Sequence, residues 1–451
     1  MTKADTRKSV AAELKQAAEA YVEAHGRFAT NGAAAAPKWL KERRDQAISR
    51  FAEVGFPSTR LEEWRFTDVK AIARTSFALA GEADLGGLEA TVSAHVVGAP
   101  DQHVAVFVNG RFTPSLSRLG QLPSGVLAGS LGDALSRDTE RVQGLLGHLA
   151  PEEANPFTAL NTAFVHDGAF LYVPEDTKLE RPVHFLFLSV PVSDVPLVIH
   201  PRNLMVVDRG AQATVLETYA THGEGVFWTN AVTEVSVGEN ATLDAYRIQR
   251  ESEDAFHTAA THSRQERSSN YSFITFSLGG GLTRHDIKVV LDGEGADATL
   301  DGLSMLRGRQ HTDHHTTLEH AKPNCTSWEY FNGVFDDRAR GVFNGRIIVR
   351  PGAQKTDSKQ TNNSLLLSPS ARADSQPQLE IYADDVRCTH GATLGPIDDD
   401  HMFYLQSRGL TAKEAEALLT YGFGSEILNA VKSAPLRQAL DRLVRRWLAE
   451  A

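Results

Sequence analysis

Three groups of residues carry side chains able to hold a metal or act as nucleophiles. The first is Cys388-Thr389-His390. In an extended segment residues two apart share a face, so a soft thiolate and an imidazole would project to one side, roughly 6.5–7 Å apart at the backbone. That donor pair suits iron, an iron–sulfur cluster or another thiophilic metal. Two ligands cannot complete a tetrahedral site, so a partner chain, a second copy or further residues must supply the rest. The second group is His311-Thr-Asp-His-His-Thr-Thr-Leu-Glu-His320. As a strand it sets His311, Asp313 and His315 on one face, a candidate divalent-metal set, and His314, Leu318 and His320 on the other. It lacks the Cys/His spacing of zinc sites, and a polar ladder outside a β-rod would read the same way. The third is Cys325, following Ala321-Lys-Pro-Asn324 at an expected bend. It is a candidate metal or sulfur ligand, or equally a small buried apolar residue.

These two cysteines are the only ones in 451 residues, which excludes a disulfide scaffold and fits a reducing cytoplasm. Forty-six basic against 57 acidic residues give a net charge of −11, which disfavours nucleic acid as a partner. No apolar signal segment follows Met1, and the most apolar stretch, 183–192, is about half of the ~20 residues a membrane span needs. A cytoplasmic protein without membrane contact is expected.

The elements that must position these residues change character along the chain. Residues 1–156 read as a mostly helical N-terminal domain, with Leu14, Ala18, Tyr21 and Val22, then Leu40, Ala47, Ile48, Phe51 and Val54, at helical spacing. An extended run lies near 103–109. From 157 to 396 short β-branched and aromatic runs follow one another without long amphipathic helices, which argues against a doubly wound sheet. Gly210, Gly238 and Gly295 each open a Gly-x-x-Ala-Thr-aliphatic copy, and Gly352 opens a degenerate fourth. Their separations of 28, 57 and 57 residues approximate one, two and two periods of a β-solenoid. Residues 397–451 return to helix, with a capping box at Thr411–Glu414, a further short helix capped by Ser425, and a stripe of Leu436, Leu440, Val444 and Trp447 suited to packing on its own domain.

The context of Cys388 is specific. Pro377-Gln-Leu-Glu-Ile-Tyr-Ala-Asp-Asp-Val-Arg-Cys-Thr-His-Gly-Ala-Thr393, with Phe403-Tyr-Leu-Gln-Ser-Arg-Gly-Leu410, closely resembles the signature of the SufB/SufD family of iron–sulfur cluster assembly proteins. Tyr330-Phe-Asn-Gly-Val-Phe335, Phe343-Asn-Gly-Arg-Ile347 and Gln360-Thr-Asn-Asn-Ser-Leu-Leu-Leu367 are similar to that family's last coils. Gly55-Phe-Pro-Ser-Thr-Arg-Leu-Glu-Glu-Trp-Arg-Phe-Thr67 and Val106-Phe-Val-Asn-Gly110 resemble its N-terminal motifs. His390-Gly391-Ala392, where the SufB branch has His-Glu-Ala, places the chain nearer the SufD branch.

The resemblance implies a mainly β protein, a right-handed parallel β-helix flanked by helical domains. It implies a scaffold without catalysis of its own, partnered by a SufB-like subunit and the SufC ABC-type ATPase. No cofactor would be held stably by the chain alone; iron or a nascent iron–sulfur cluster would sit transiently between Cys388, His390 and SufB ligands. SufC would dock on the C-terminal helices, through Phe403, Tyr404, Arg408, Leu418 and Phe423, and truncation before Thr411 would remove it while leaving a folded core. The absence of any Gly-Lys dipeptide excludes a nucleotide-binding P-loop in this chain. Two alternatives stay open at this point: a carbohydrate-active β-helix enzyme, and a homodimeric metal-binding scaffold that acts alone.

Overall fold

The computed structural model describes residues 3–31 and 36–450, with side chains for 14–30 and 36–450. Its centre is a parallel β-solenoid. Each strand pairs with the next but one, so the chain alternates between two sheets as it climbs. One sheet runs through Phe227–Val237, Phe256–Gln265, Leu282–Leu291, His311–His320 and Arg340–Val349 to Arg372–Ile381. The other runs through Thr242–Arg250, Asn270–Ser277, Asp297–Leu306, Thr326–Phe335 and Asp357–Leu366 to Arg387–Gly395. Gln212, Thr242, Asn270, Asp297, Thr326, Asp357 and Arg387 lie side by side, so one coil takes 27 to 31 residues.

Local chemistry explains the repeat. Two positions before that column, Gly210, Asn240, Ser268, Gly295, Asn324 and Lys355 all have φ between 54° and 70°. Each of these six coils places a left-handed residue at this corner. Glycine adopts it without strain and asparagine more readily than other side chains. The next residue points into the rod, where only a small side chain fits: Ala211, Ala241, Ser269, Ala296, Cys325 and Thr356 are all buried. The Gly210 and Gly295 copies are therefore in register. The Gly238 copy is displaced by two residues and Gly352 by three, because Asn240 and Lys355 take the corner.

Residues of both sheets interleave in the interior, among them Val215, Phe273, Leu300, Leu318 and Ile347. The N-terminal segment covers the outside of the first sheet. Tyr21, Phe51, Phe56, Trp64 and Phe157 surround Trp228, which is fully buried; its ring centroid lies 5.4 Å from Phe157 and 6.0 Å from Tyr21. His103–Val108, read as extended, joins the second sheet beside Val183–Ser189, so the sheets begin before residue 157. A buried ion pair fixes the loop between the two parts. Arg202 Nη2 lies 2.6 Å from Glu234 Oε1, and Glu234 accepts from the backbone N–H groups of Gly147, Leu149 and Ala150.

Ala412–Ala430 and Ala434–Ala449 cover the second sheet. Ile427, Leu428, Val431, Leu436, Leu440 and Val444 pack on Tyr246, Ile248, Phe276, Leu303, Met305 and Val334. The expected stripe thus packs on its own protein. The capping box Thr411–Glu414 is formed, but Ser425 opens no new helix: its hydroxyl bonds to Gly422 inside one continuous helix. Truncation before Thr411 would strip this apolar cover from the sheet, so the expected folded core would lose a large part of its buried surface.

Candidate functional site

Cys388 and His390 lie on Arg387–Gly395, the terminal strand of the second sheet. This strand and its counterpart Arg372–Ile381 each have a strand partner on one side only, which leaves a row of backbone groups unpaired at the end of the rod. Register places Cys388 next to Ser358, and His390 next to Gln360. Both columns face inward, for Ser358 and Gln360 are buried. The two side chains therefore share the face that looks into the open end, as the C-x-H spacing required. Cys388 is half-buried and caps the interior together with Leu379, Ala383 and Val386, whereas His390 is exposed. Burial, and secondarily Asp357, raises the Cys388 thiol. A bound cation would reverse that preference by stabilising the thiolate.

Beneath the pair run two buried hydrogen-bonded columns. His320 Nε2 lies 2.9 Å from Ser327 Oγ, which lies 2.7 Å from Ser358 Oγ, under Cys388. Gln360 Nε2 donates to Glu329 Oε2 at 2.6 Å, under His390. Burial pushes Glu329 up to about 7. The sequence reading did not single out Ser358, Gln360 or Glu329 as site residues. The period could have found them, since Ser358-x-Gln360 precedes Cys388-x-His390 by one coil.

The histidine-rich strand faces as expected, with His314, Leu318 and His320 inward. His311, Asp313 and His315 do converge, but around a guanidinium. Arg284 Nη1 donates to Asp313 Oδ2 at 2.8 Å and lies 3.1 Å from His315 Nε2, while its plane sits 3.8 Å from the Trp64 ring. Thr67 Oγ1 donates to Asp313 and lies 2.9 Å from His311 Nε2. A cation already at the centre makes this a clamp for the segment 62–67, and it gives the Gly55–Thr67 motif its physical role. Among the described residues no group of three or more His, Cys, Asp or Glu has the geometry to hold a metal. Cys325 is fully buried in the small-residue column, with its thiol bonded to Gly293 O at 3.2 Å and raised by burial. Packing accounts for it.

Of the candidate docking residues, Phe403, Tyr404 and Leu418 are 72%, 57% and 49% exposed, an apolar surface that nothing in the chain covers among the described residues. Arg408 is exposed beside Tyr404. Phe423 differs: it is partly buried against the solenoid, and its carbonyl accepts from Asn332. Asp398 caps the helix Asp399–Ser407, its carboxylate accepting from the backbone N–H groups of Asp400 and His401. No described helix is long and apolar enough to cross a membrane.

Comparison with known proteins identifies the family. Residues 191–423 match the model of the SufBD core domain of SUF-system iron–sulfur cluster assembly, and residues 15–185 match the SufBD N-terminal region. An iron–sulfur cluster assembly SufBD family protein of Synechocystis is 34% identical over 415 residues, 90% of each chain. The iron–sulfur cluster assembly protein SufD of Escherichia coli is 30% identical over 429 residues, covering 95% of this chain and 96% of that one. SufD of Bacillus subtilis is 28% identical over 422 residues, covering 91% and 94%. With both family regions matched in order and the cysteine–histidine pair on the final coil, the chain belongs to the SufB/SufD family of iron–sulfur cluster assembly proteins.

Proposed function

We propose that the chain is a non-catalytic scaffold subunit that presents Cys388 and His390 to a SufB-like partner and docks a SufC-type ATPase on its C-terminal helices. The observation that carries this reading is the shared inward face of the two side chains at an uncovered rod end. Thiolate and imidazole are fitting donors for iron and for iron–sulfur clusters, and this strand offers only two. The remaining ligands come from a second chain whose edge strand pairs with the exposed one. The iron or nascent cluster is then cargo, held between subunits. The exposed Phe403, Tyr404 and Leu418 form the docking surface for the ATPase, in the cytoplasm where such machinery meets its substrates. The family relatives are assembly proteins, and the acidic pairs Asp384-Asp385 and Asp399-Asp400 serve a turn and a helix start, so nothing favours the carbohydrate-active alternative.

In cells that depend on this protein, Cys388→Ser and His390→Ala are each expected to lower cluster maturation to the level of a deletion strain, while the ATPase still co-purifies. Full maturation in both variants would sink the reading. Phe403→Ala combined with Leu418→Ala is expected to weaken ATPase binding at least tenfold without unfolding the protein, measured by calorimetry on the purified chains. Unchanged affinity would move the docking site elsewhere. Sizing the chain with and without its partners separates the heteromeric assembly from a homodimer.

A further inference from the structure

Leu300, Glu329, Gln360 and His390 stand side by side in one inward column of the last coils. Gln360 and Glu329 are 0% and 2% exposed. Gly345, on the facing strand, leaves room for the Gln360 amide, because a Cβ there would collide with Nε2. An ionised carboxylate can only accept hydrogen bonds, so Glu329 holds the amide with its nitrogen inward, at 2.6 Å. The amide oxygen is left over. It is buried and has no hydrogen-bond partner among the described residues, an arrangement that folded proteins rarely leave uncorrected. The next side chain in the column, one strand spacing of about 4.8 Å toward the open end, is His390.

We infer that Gln360 is a positioning residue for His390: its side-chain oxygen accepts one ring N–H, which leaves the other ring nitrogen bare and directed out of the open end. An imidazole binds a metal only through an unprotonated nitrogen, and which one is bare is set by the hydrogen bond that the other makes. Glu329 fixes Gln360, and Gln360 fixes the ring, so a buried carboxylate two coils down determines the tautomer offered at the surface. The inference rests on the reading of Cys388 and His390 as a ligand pair, but its test needs neither iron nor partner.

The full chain carrying ¹⁵N-labelled histidine is measured alone at pH 8, where Glu329 is ionised, and the His390 signals are assigned by their loss in His390→Asn. The expected spectrum has one protonated and one bare ring nitrogen at well separated shifts. In Gln360→Leu the two should collapse toward the averaged shifts of a freely exchanging imidazole. Because that variant leaves Glu329 without its donor and can disturb folding, Glu329→Met/Gln360→Leu, with an apolar column, serves as the second variant and should show the same collapse. Averaged shifts in the wild type, or an unchanged separation in the folded double variant, would overturn the inference. Cluster maturation in Cys388→Ser and His390→Ala cells reports separately on the ligand reading, so the two can fail independently.

Discussion

Lowering the pH from 7 to 5 is expected to cost the protein most of its stability. Burial lowers His184 and His200 to about 3, and His311, His314 and His320 to about 4. All five are neutral in the fold, whereas in the unfolded chain each titrates near 6.5. Their contribution is complete above that pH. It is lost as the pH falls toward the folded values, because only the unfolded chain takes up protons in the interval. Between pH 7 and pH 5 each histidine loses roughly 2 kcal/mol by linkage. Glu329 and Asp301, both raised by burial to about 7, act in the opposite sense: their protonated folded forms are favoured as the pH drops. Two acids regain what two histidines lose, leaving a net loss of about 6 kcal/mol, comparable to the whole stability of many domains. Asp313 takes no part in this window, since its carboxylate is held low against its burial by His315 and Arg284 and is protonated only in strong acid. Urea titrations at the two pH values, followed by near-ultraviolet circular dichroism, measure the effect. An equal urea midpoint at pH 5 and pH 7 would refute it.

Arg202→Met is expected to destabilise the protein by about 3–5 kcal/mol, as for other buried pairs that lose one member. Arg202 and Glu234 are both almost inaccessible, and the guanidinium also donates to Asn161 Oδ1, Thr162 Oγ1 and Ala150 O. The usual remedy of removing both charges should fail here. Glu234 is the acceptor for three backbone N–H groups of the 147–150 loop, so Arg202→Met/Glu234→Met leaves three donors without partners. Urea denaturation of the single and double variants tests this. A double variant as stable as the wild type would show that the loop does not depend on Glu234.

The solenoid was legible in the sequence because its corner recurs, and the recurrence blurred where asparagine or lysine replaced glycine, at Asn240 and Lys355. Phe256–Gln265 left little trace as a strand. Its inward residues include His257, Thr261, Ser263 and Gln265, so the rod's polar interior erased the apolar alternation that marks a strand. His257 instead satisfies Glu251 at 2.6 Å and meets Arg247, bonds across the turn between consecutive strands that spacing alone does not reveal. The shared face of Cys388 and His390 followed from strand periodicity. The open end did not, because it depends on where the two helical covers stop. The His311–Asp313–His315 face was read correctly, but its occupant, Arg284, lies a full coil earlier in the chain.

The C-terminal helices do more than cover a sheet. Phe423 is held by Asn332, Lys432 by Asp244 and Tyr246, and Trp447 by Arg307, so one short tail stitches together coils far apart along the rod. A repeat array ordinarily couples only nearest neighbours and can melt from either tip. Here the stitched coils must melt as one body, whereas the last strands, 357–395, lie beyond the stitches. The segment bearing the thiol and the imidazole is thus the part of the rod least tied to the C-terminal helices.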